Sequence, residues 1–187
     1  TNPRPNQEDL GKYYESDEYI SHTDSKKGLM ERVYQTVRNF SLRNKRKLIH
    51  KYLAKGSILD IGCGTGDFLF EMQSNGWTVT GMEPNSEARK KAEEKLKAPL
   101  HSNPELSGLP SSSFDAVSMW HVLEHVPNPK KTSTQIFDLL KPGGLAIIAV
   151  PNFKSADAKM YGSLWAAYDV PRHLFHFSRT GMIDLFN

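Results

Sequence analysis

The segment that decides the fold is LDIGCGTGDFL, residues 59–69. An apolar run leads into Asp60 and is followed by three glycines at alternate positions, Gly62, Gly64 and Gly66. Glycines that follow a strand allow a tight turn and let backbone N–H groups come close to a ligand. The segment therefore predicts a buried strand, a ligand-binding loop and the start of a helix.

Strand-like and helix-like segments alternate through the rest of the chain. We predict strands at 57–62, 78–83, 98–103, 114–120 and 145–150, helices at 26–40, 44–54, 66–74, 86–97 and 130–140, and a helix stop and turn at KPGG, 141–144. Strands separated by helices form βαβ units, so we expect an α/β fold with a doubly wound, mainly parallel sheet and helices on both faces. In such sheets the ligand lies beyond the carboxyl ends of the strands, where the strand order reverses.

The glycine loop does not match the dinucleotide fingerprint G-x-G-x-x-G. The third glycine of that pattern would stand where this chain has Asp67, and a pyrophosphate would lie near the carboxylates of Asp60 and Asp67. Asp67 is better explained as an acid in the first turn of a helix. Glu83 follows Gly62 by 21 residues, the spacing at which an acid accepts both ribose hydroxyls. The pattern favours a cationic or zwitterionic nucleoside without phosphates.

Four segments of the chain resemble, in order and spacing, the motifs of class I S-adenosylmethionine-dependent methyltransferases. They are LDIGCGTGDFL, GMEPN, LPSSSFDAVSMWHVLEHVPNP and LKPGGLAIIAVPN, within about residues 55–152. The flanks YYESDEYISH (13–22) and WAAYDVPRHLFHFS (165–178) look like those of a bacterial branch related to ubiquinone-biosynthesis-type methyltransferases. The resemblance implies a Rossmann-like fold, S-adenosyl-L-methionine as cofactor and S-adenosyl-L-homocysteine as product.

The resemblance also implies a set of cofactor-binding residues. Asp60 and the loop backbone would hold the amino-acid end of the cofactor, and Glu83 would bind the ribose hydroxyls. Asn103 and Pro104 stand where relatives often have an Asp-Ala pair near the adenine, and Tyr14 is either a lid or an anchor of the N-terminal arm. The complete set is Tyr14, Asp60, Gly62, Cys63, Gly64, Thr65, Gly66, Glu83, Pro84, Asn103, Pro104, Trp120 and His121.

The candidate catalytic residues follow the fourth predicted strand or lie late in the chain. An oxygen or nitrogen acceptor needs a base to remove its proton, and the candidates are His121, Glu124, His125 and His173, with Asp169 and His176 as further options. His121, Glu124 and His125 would share one face of a helical turn. In ubiquinone-type relatives the corresponding E-x-x-E-H binds a divalent metal, and here His121 replaces the first glutamate. We assign no metal, because a structural Glu124 at a helix start explains the same residues; a metal stays the alternative.

The segment VPRHLFHF, 170–177, has two interpretations. It is either a wall of the acceptor pocket or a packed crossover loop whose aromatic side chains fill the core, before a helix that begins near Ser178. Cys63 is most simply a small residue in a crowded loop, because no nearby base would activate it.

Composition limits the class of protein. The chain has 187 residues, of which 38% are hydrophobic and 24% charged, as is ordinary for a soluble domain. No window approaches the ~18 apolar residues of a membrane span, and no signal-peptide pattern opens the chain. The single cysteine excludes an intrachain disulfide and fits a reducing compartment, so we expect a cytoplasmic protein.

Charge is distributed unevenly along the chain. Residues 26–55 contain ten Lys and Arg and one acid, a balance of +9 that would attract nucleic acid, an anionic lipid surface or an acidic substrate. We favour a solvated helix face instead, because an apolar stripe already explains the helix. The stripe consists of Leu29, Met30, Val33, Tyr34, Val37 and Phe40.

These observations lead to one functional expectation. We divide the chain into an arm with helices on the lid side, 1–54, and a methyltransferase core, 55–187, which lacks the C-terminal antiparallel hairpin of class I sheets. We expect methyl transfer to an oxygen, nitrogen or carbon of a small-molecule or lipid-like acceptor by a monomer or homodimer. The alternatives are an RNA methyltransferase, since nucleic acid is not favoured but stays open, and a non-catalytic nucleoside-binding module.

Overall fold

The computed structural model describes residues 29–102 and 106–187, so the predictions for Tyr14, Asn103 and Pro104 lie outside the described residues. The helices are α1 (Leu29–His50), α2 (Asp67–Gln73), α3 (Ser86–Leu96), α4 (Pro129–Leu139), α5 (Ala156–Tyr161) and α6 (Arg179–Phe186). The strands are β1 (Ser57–Ile61), β2 (Thr78–Met82), β3 (Phe114–Trp120) and β4 (Leu140–Ala149). Short 3-10 helices lie at Leu106–Gly108, Leu123–His125, Gly162–Leu164 and Ala166–Tyr168.

The four strands form one parallel sheet in the order β2-β1-β3-β4. The chain moves outward from β1 to β2 and then returns to the other side of β1 to form β3, so the strand order reverses between β1 and β3. This is the doubly wound, Rossmann-like α/β arrangement that the sequence predicts. The glycine loop follows β1 directly at this switch point.

Helices cover both faces of the sheet because neighbouring strand residues point to opposite sides. In β1, Ile58 belongs to one buried cluster, with Ile49 of α1, and Leu59 belongs to the other, with Ile136 of α4. Strands buried on both faces are rich in apolar residues, as β1 is at Ile58, Leu59 and Ile61, with the buried Asp60 as its polar exception. The two cores hold the ends of β1 and β3 rigidly, and the site is built on those ends.

Three details of the predicted secondary structure are wrong. The helices predicted at 26–40 and 44–54 are a single helix, α1, because no glycine or proline interrupts residues 29–50. The strand predicted at 98–103 is reduced, in its described part, to one bridge between Met82 and His101. The KPGG segment is not a turn before the last strand, because it lies inside β4. Residues 141–144 stand opposite Asp115 alone, between the pairs Phe114–Leu140 and Ala116–Leu145.

The proposed role of the apolar stripe on α1 is also wrong for its described members. Val37 and Phe40 are 62% and 65% exposed, and Val33 and Tyr34 are exposed as well. The face of α1 that packs against the core carries Ile49 instead. A buried apolar stripe on the opposite face therefore does not explain the basic residues of this helix. The division of the chain between residues 54 and 55 stays a prediction.

No helix among the described residues is both long and apolar enough to cross a membrane.

Candidate cofactor and acceptor site

The glycine loop is fastened to the end of β2. The N–H groups of Gly62 and Cys63 donate to the carbonyl of Met82 over 2.8 and 3.0 Å. A Cβ at Gly62 would lie 2.4 Å from Val122 Cγ2, so packing alone requires a glycine there. At Gly64, where φ is +54°, a Cβ would meet nothing within 4 Å. Gly64 is thus the glycine whose surroundings are open to a ligand.

Glu83 points at this loop. Its Oε2 accepts a hydrogen bond from the N–H of Gly64 (2.8 Å) and its Oε1 accepts one from the N–H of Asn85 (2.9 Å). The residue is only 7% exposed. Two backbone donors therefore fix the carboxylate beside Gly64. Asn85 also caps α3 by accepting from the N–H groups of Glu87 and Ala88.

Two cavities flank the switch point and share Gly62 and Trp120 in their walls. The smaller cavity, about 420 Å³, lies between α1 and the glycine loop and is lined by Lys45 and Asp60. The larger cavity, about 710 Å³, extends from Glu83 to the residues after β3 and to the loop before α6. Both volumes lie within the range of small-molecule sites. The crevice at the carboxyl ends of the strands is therefore open.

The smaller cavity contains a buried acid and a nearby base. Asp60 is 2% exposed, and burial raises its pKa to about 7, against the opposing effects of the Ser118 hydroxyl (2.7 Å) and Lys45. Burial lowers the pKa of Lys45, whose Nζ lies 4.3 Å from the ring centroid of Trp120. An ionised carboxyl and an ammonium group in one apolar-walled cavity suit a zwitterion such as an amino acid.

The other loop residues have structural roles. Asp67 is the first residue of α2 and pairs with Arg38 and Lys95, and its carboxylate also accepts from the Thr65 hydroxyl (2.7 Å). Cys63 is buried, and burial raises the pKa of its thiol, so it is not a thiolate nucleophile. At Gly66, a Cβ would lie 2.9 Å from the Cβ of Ala92, which explains this glycine by the packing of α3.

Trp120 and His121 lie at the junction of the cavities. The indole Nε1 of Trp120 is buried and has no hydrogen-bond partner among the described residues. His121 has a φ of +60°, uncommon for a residue with a side chain, and its N–H donates to the carbonyl of Ala149 (2.9 Å). The imidazole is 65% exposed and lies in the wall of the larger cavity. Backbone strain of this kind occurs preferentially at functional sites.

Residues far apart in sequence meet behind the larger cavity. The carbonyl of Glu124 accepts from the N–H groups of Leu174 (2.8 Å) and Phe175 (3.2 Å), which ties the loop before α6 to the turn after β3. The rings of His125 and His173 therefore lie edge to face, with centroids 4.7 Å apart, and burial lowers the pKa of His125. Three of the four predicted catalytic residues come together here, and His121 lies at the cavity side of the group.

The segment 170–177 contributes both to a core cluster and to the wall of the larger cavity, while its role toward an acceptor stays a prediction. Leu174 and Phe177 are buried, and Phe177 belongs to a core cluster. Arg172 lines the larger cavity and forms two hydrogen bonds to Asp169 Oδ1, at 2.7 and 2.9 Å. His176 contacts the carbonyl of Tyr168 through Nε2 (2.9 Å). A helix begins after Ser178, whose hydroxyl accepts from the N–H of Gly181.

Lys45 is the residue of this site that the sequence analysis missed. It lies on α1, fifteen residues before Asp60, and no motif marks it. The available signal was the spacing of Arg38, Leu42, Lys45 and Ile49, which places these four residues on one helix face. The more apolar stripe on another face of the helix obscured this signal.

Comparison with known proteins now gives the family. A family model described as a methyltransferase domain matches residues 26–187. The chain belongs to this methyltransferase domain family. The resemblance to class I S-adenosylmethionine-dependent methyltransferases is confirmed, and S-adenosyl-L-methionine is the cofactor that goes with the family.

Solved structures agree with this assignment. A methyltransferase structure from Methanosarcina mazei, described as S-adenosylmethionine-dependent, is 30% identical, with a TM-score of 0.58, and the match covers 74% of this chain and 81% of that one. A second such structure, from Archaeoglobus fulgidus, is 23% identical with a TM-score of 0.65, over 79% and 66% of the two chains. At 23% identity, the similarity to the second structure supports the fold alone.

Sequence relatives include ubiquinone biosynthesis O-methyltransferases. The protein of Paraburkholderia phymatum is 30% identical over 139 residues, 70% of this chain and 60% of that protein. The protein of Nitrosococcus oceani is 35% identical over 126 residues, 64% and 53% of the two chains. This methyltransferase-domain chain thus spans little more than half the length of these curated relatives.

Proposed function

We propose that the protein transfers the methyl group of S-adenosyl-L-methionine to a small-molecule or lipid-like acceptor, with a hydroxyl oxygen as the preferred methyl acceptor over nitrogen or carbon. The observation that carries this proposal is the pair of cavities that meet at Gly62 and Trp120. One cavity is charged at Asp60 and Lys45, and the other begins at the Glu83 carboxylate. A nucleoside with an amino-acid tail matches this order of groups.

In the proposed complex the cofactor crosses the switch point. Its ammonium group would face Asp60, its carboxylate Lys45, and its ribose hydroxyls Glu83. The sulfonium would then lie near Trp120, which the two cavities share. The bare backbone at Gly64 supports this path, because it leaves room for a ligand against the loop.

The remainder of the larger cavity would hold the acceptor. Its lining combines apolar side chains, Leu106, Met119 and Val126, with the polar side chains of His121 and Arg172. An apolar body with one reactive polar group fits such a lining. The names of the curated relatives support a hydroxyl as that group. RNA is less well supported, because two of the basic residues of α1, Arg38 and Arg46, are already paired with acids.

His121 is the proposed base. The acceptor oxygen would attack the methyl carbon as the methyl–sulfur bond breaks, which releases S-adenosylhomocysteine, and the hydroxyl proton would pass to a ring nitrogen of His121. The Nδ1 of His121 lies 3.7 Å from Glu124 Oε1, so the buried carboxylate would stabilise the imidazolium that forms. Beyond this, the protein needs only to align the two reactants and exclude water.

The test is transfer of a labelled methyl group to two probe acceptors, a water-soluble catechol and a polyprenylated phenol. We expect turnover with at least one of them, and we expect His121→Ala to reduce the rate by about 10²–10⁴-fold while S-adenosylhomocysteine still binds. His176→Ala is the matched control, because that imidazole contacts a backbone carbonyl of its own loop. Binding of S-adenosylhomocysteine without transfer to either probe would favour the non-catalytic nucleoside-binding alternative.

A further inference from the structure

The carboxylate of Glu124 lacks the partners that a buried charge requires. The residue is 1% exposed, and neither Oε1 nor Oε2 has a hydrogen-bond partner among the described residues. Glu124 lies in the first turn of a short 3-10 helix, and its carboxylate makes no capping hydrogen bond there. A buried carboxylate without compensation costs several kcal/mol. A cation bound at this position would remove that cost.

Two imidazoles face this carboxylate with their ring nitrogens oriented by backbone carbonyls. His125 Nδ1 lies 3.0 Å from the carbonyl oxygen of Arg172, and His173 Nδ1 lies 2.9 Å from that of Ala167. A carbonyl only accepts, so each Nδ1 carries the proton, and in a neutral ring Nε2 then presents its lone pair. Metal-binding histidines are held in this way, with the second nitrogen donating to a carbonyl or a carboxylate.

The distances between the three side chains fit a shared ion better than direct contacts. Glu124, His125 and His173 each offer one ligand atom, and these atoms lie within 4.8 Å of one another. The Nε2 of His173 is 4.0 Å from Glu124 Oε1, which is too long for a hydrogen bond. Ligand atoms that each bind an ion at about 2.0–2.2 Å lie farther apart than hydrogen-bonded atoms do. The backbone bonds from Leu174 and Phe175 to Glu124 hold the arrangement in place.

We propose that Glu124, His125 and His173 bind a divalent metal ion, with His173 of the loop before α6 as the third ligand in place of His121. His121 lies outside the convergent set, and its side chain is largely exposed. The donor set is then two nitrogens and one oxygen. Imidazole donors suit zinc, iron, cobalt or nickel, whereas magnesium prefers oxygen ligands. This chain would therefore differ in its third ligand from relatives that use the E-x-x-E-H motif.

The ion would join two segments that are distant in sequence. Glu124 and His125 belong to the turn after β3, and His173 belongs to the loop that carries Arg172 into the larger cavity. His125 also lines that cavity, so the ion would lie at its wall. When bound, such an ion supplies a Lewis acid next to the acceptor space.

The test uses full-length protein from which metal has been stripped with a chelator. We expect calorimetry to show one zinc ion bound per chain and no comparable binding of magnesium, and we expect cobalt to give the visible absorption of a low-symmetry nitrogen-oxygen site. His173→Ala should weaken zinc binding by at least about 100-fold. His121→Ala is the matched control and should leave zinc binding unchanged. Loss of zinc binding in His121→Ala but not in His173→Ala would overturn the assignment of the third ligand.

A second variant guards against loss of folding. Glu124→Gln keeps the side-chain shape but removes the buried charge, so it should abolish zinc binding while it raises the stability of the metal-free protein. Metal-stripped wild-type protein that stays folded but binds neither zinc nor cobalt would overturn the proposal. The result is independent of methyl transfer, because S-adenosylhomocysteine binding is measured separately. Zinc binding without S-adenosylhomocysteine binding would refute the proposed function and leave the metal site standing.

Discussion

Replacement of Asp60 by asparagine should stabilise the ligand-free protein and weaken cofactor binding. Burial raises the pKa of Asp60 from 3.8 to about 7. Because the folded state holds this proton more tightly than the unfolded state, stability falls as the pH rises from about 4 to about 7. At about 1.4 kcal/mol per pH unit, the ionised carboxyl costs the folded protein about 4 kcal/mol above that range.

Asparagine avoids this cost, and its Oδ1 can still accept the hydrogen bond from the Ser118 hydroxyl. The difference in unfolding free energy between Asp60→Asn and wild type should be near zero at about pH 4 and should approach 4 kcal/mol at about pH 8. Urea unfolding followed by circular dichroism at a series of pH values measures it. A difference that does not change with pH, or a variant less stable than wild type at about pH 8, would show that ionising the buried Asp60 carboxyl does not cost the folded protein stability.

Asp115 provides a control of opposite sign. The hydrogen bond from Lys141, together with one from the Ser57 N–H, lowers the pKa of Asp115 to about 2. Its contribution to stability is complete above the unfolded value of 3.8 and is lost as the pH falls through about 2. Asp115→Asn should therefore destabilise the protein at neutral pH, where Asp60→Asn stabilises it.

The remaining predictions concern the ligand and the loop. Glu83→Ala should weaken S-adenosylhomocysteine binding by about 1–3 kcal/mol, because two ribose hydroxyls lose a charged acceptor, and Glu83→Gln should weaken it less. Calorimetry measures both affinities, and unchanged affinity in a folded variant would remove Glu83 from the site. Lys45→Met should weaken binding of S-adenosylhomocysteine but not of 5′-methylthioadenosine, which has no amino-acid carboxylate; equal losses for the two ligands would argue against the proposed orientation. Gly62→Ala should destabilise the fold by about 1–3 kcal/mol in urea unfolding, because the new methyl group would overlap Val122. Gly64→Ala adds no overlap and bears only the strain of its positive φ, so it should destabilise the fold less while it reduces ligand affinity.

The sequence predicted those parts of the fold that depend on local pattern. The first, second and fourth predicted strands correspond to β1, β2 and β3 within one residue, since buried apolar runs bounded by turn residues are strong local signals. The irregularity of β4 at residues 141–144 was not predictable, because Pro and Gly in KPGG normally mark a turn. Only the pairs with β3 on either side, Phe114–Leu140 and Ala116–Leu145, keep this segment within the strand.

The candidate site divides in a similar way. Motif spacing predicted the loop and Glu83, since both follow strands that end at the same edge of the sheet. Lys45 depends on how α1 is rotated against the loop, and the meeting of His173 with Glu124 depends on backbone bonds between segments about fifty residues apart. Tertiary packing decides such contacts, since helix spacing places Lys45 on one face of α1 but does not show which face meets the loop.

The most direct test of the account is calorimetry of the full chain with S-adenosylhomocysteine and, in parallel, with NADH. We predict one S-adenosylhomocysteine bound per chain, no comparable binding of NADH, and loss of S-adenosylhomocysteine affinity in Asp60→Asn. Tighter binding of NADH, or no heat with S-adenosylhomocysteine from protein that circular dichroism shows to be folded, would contradict a nucleoside with a charged amino-acid tail as the ligand of this crevice.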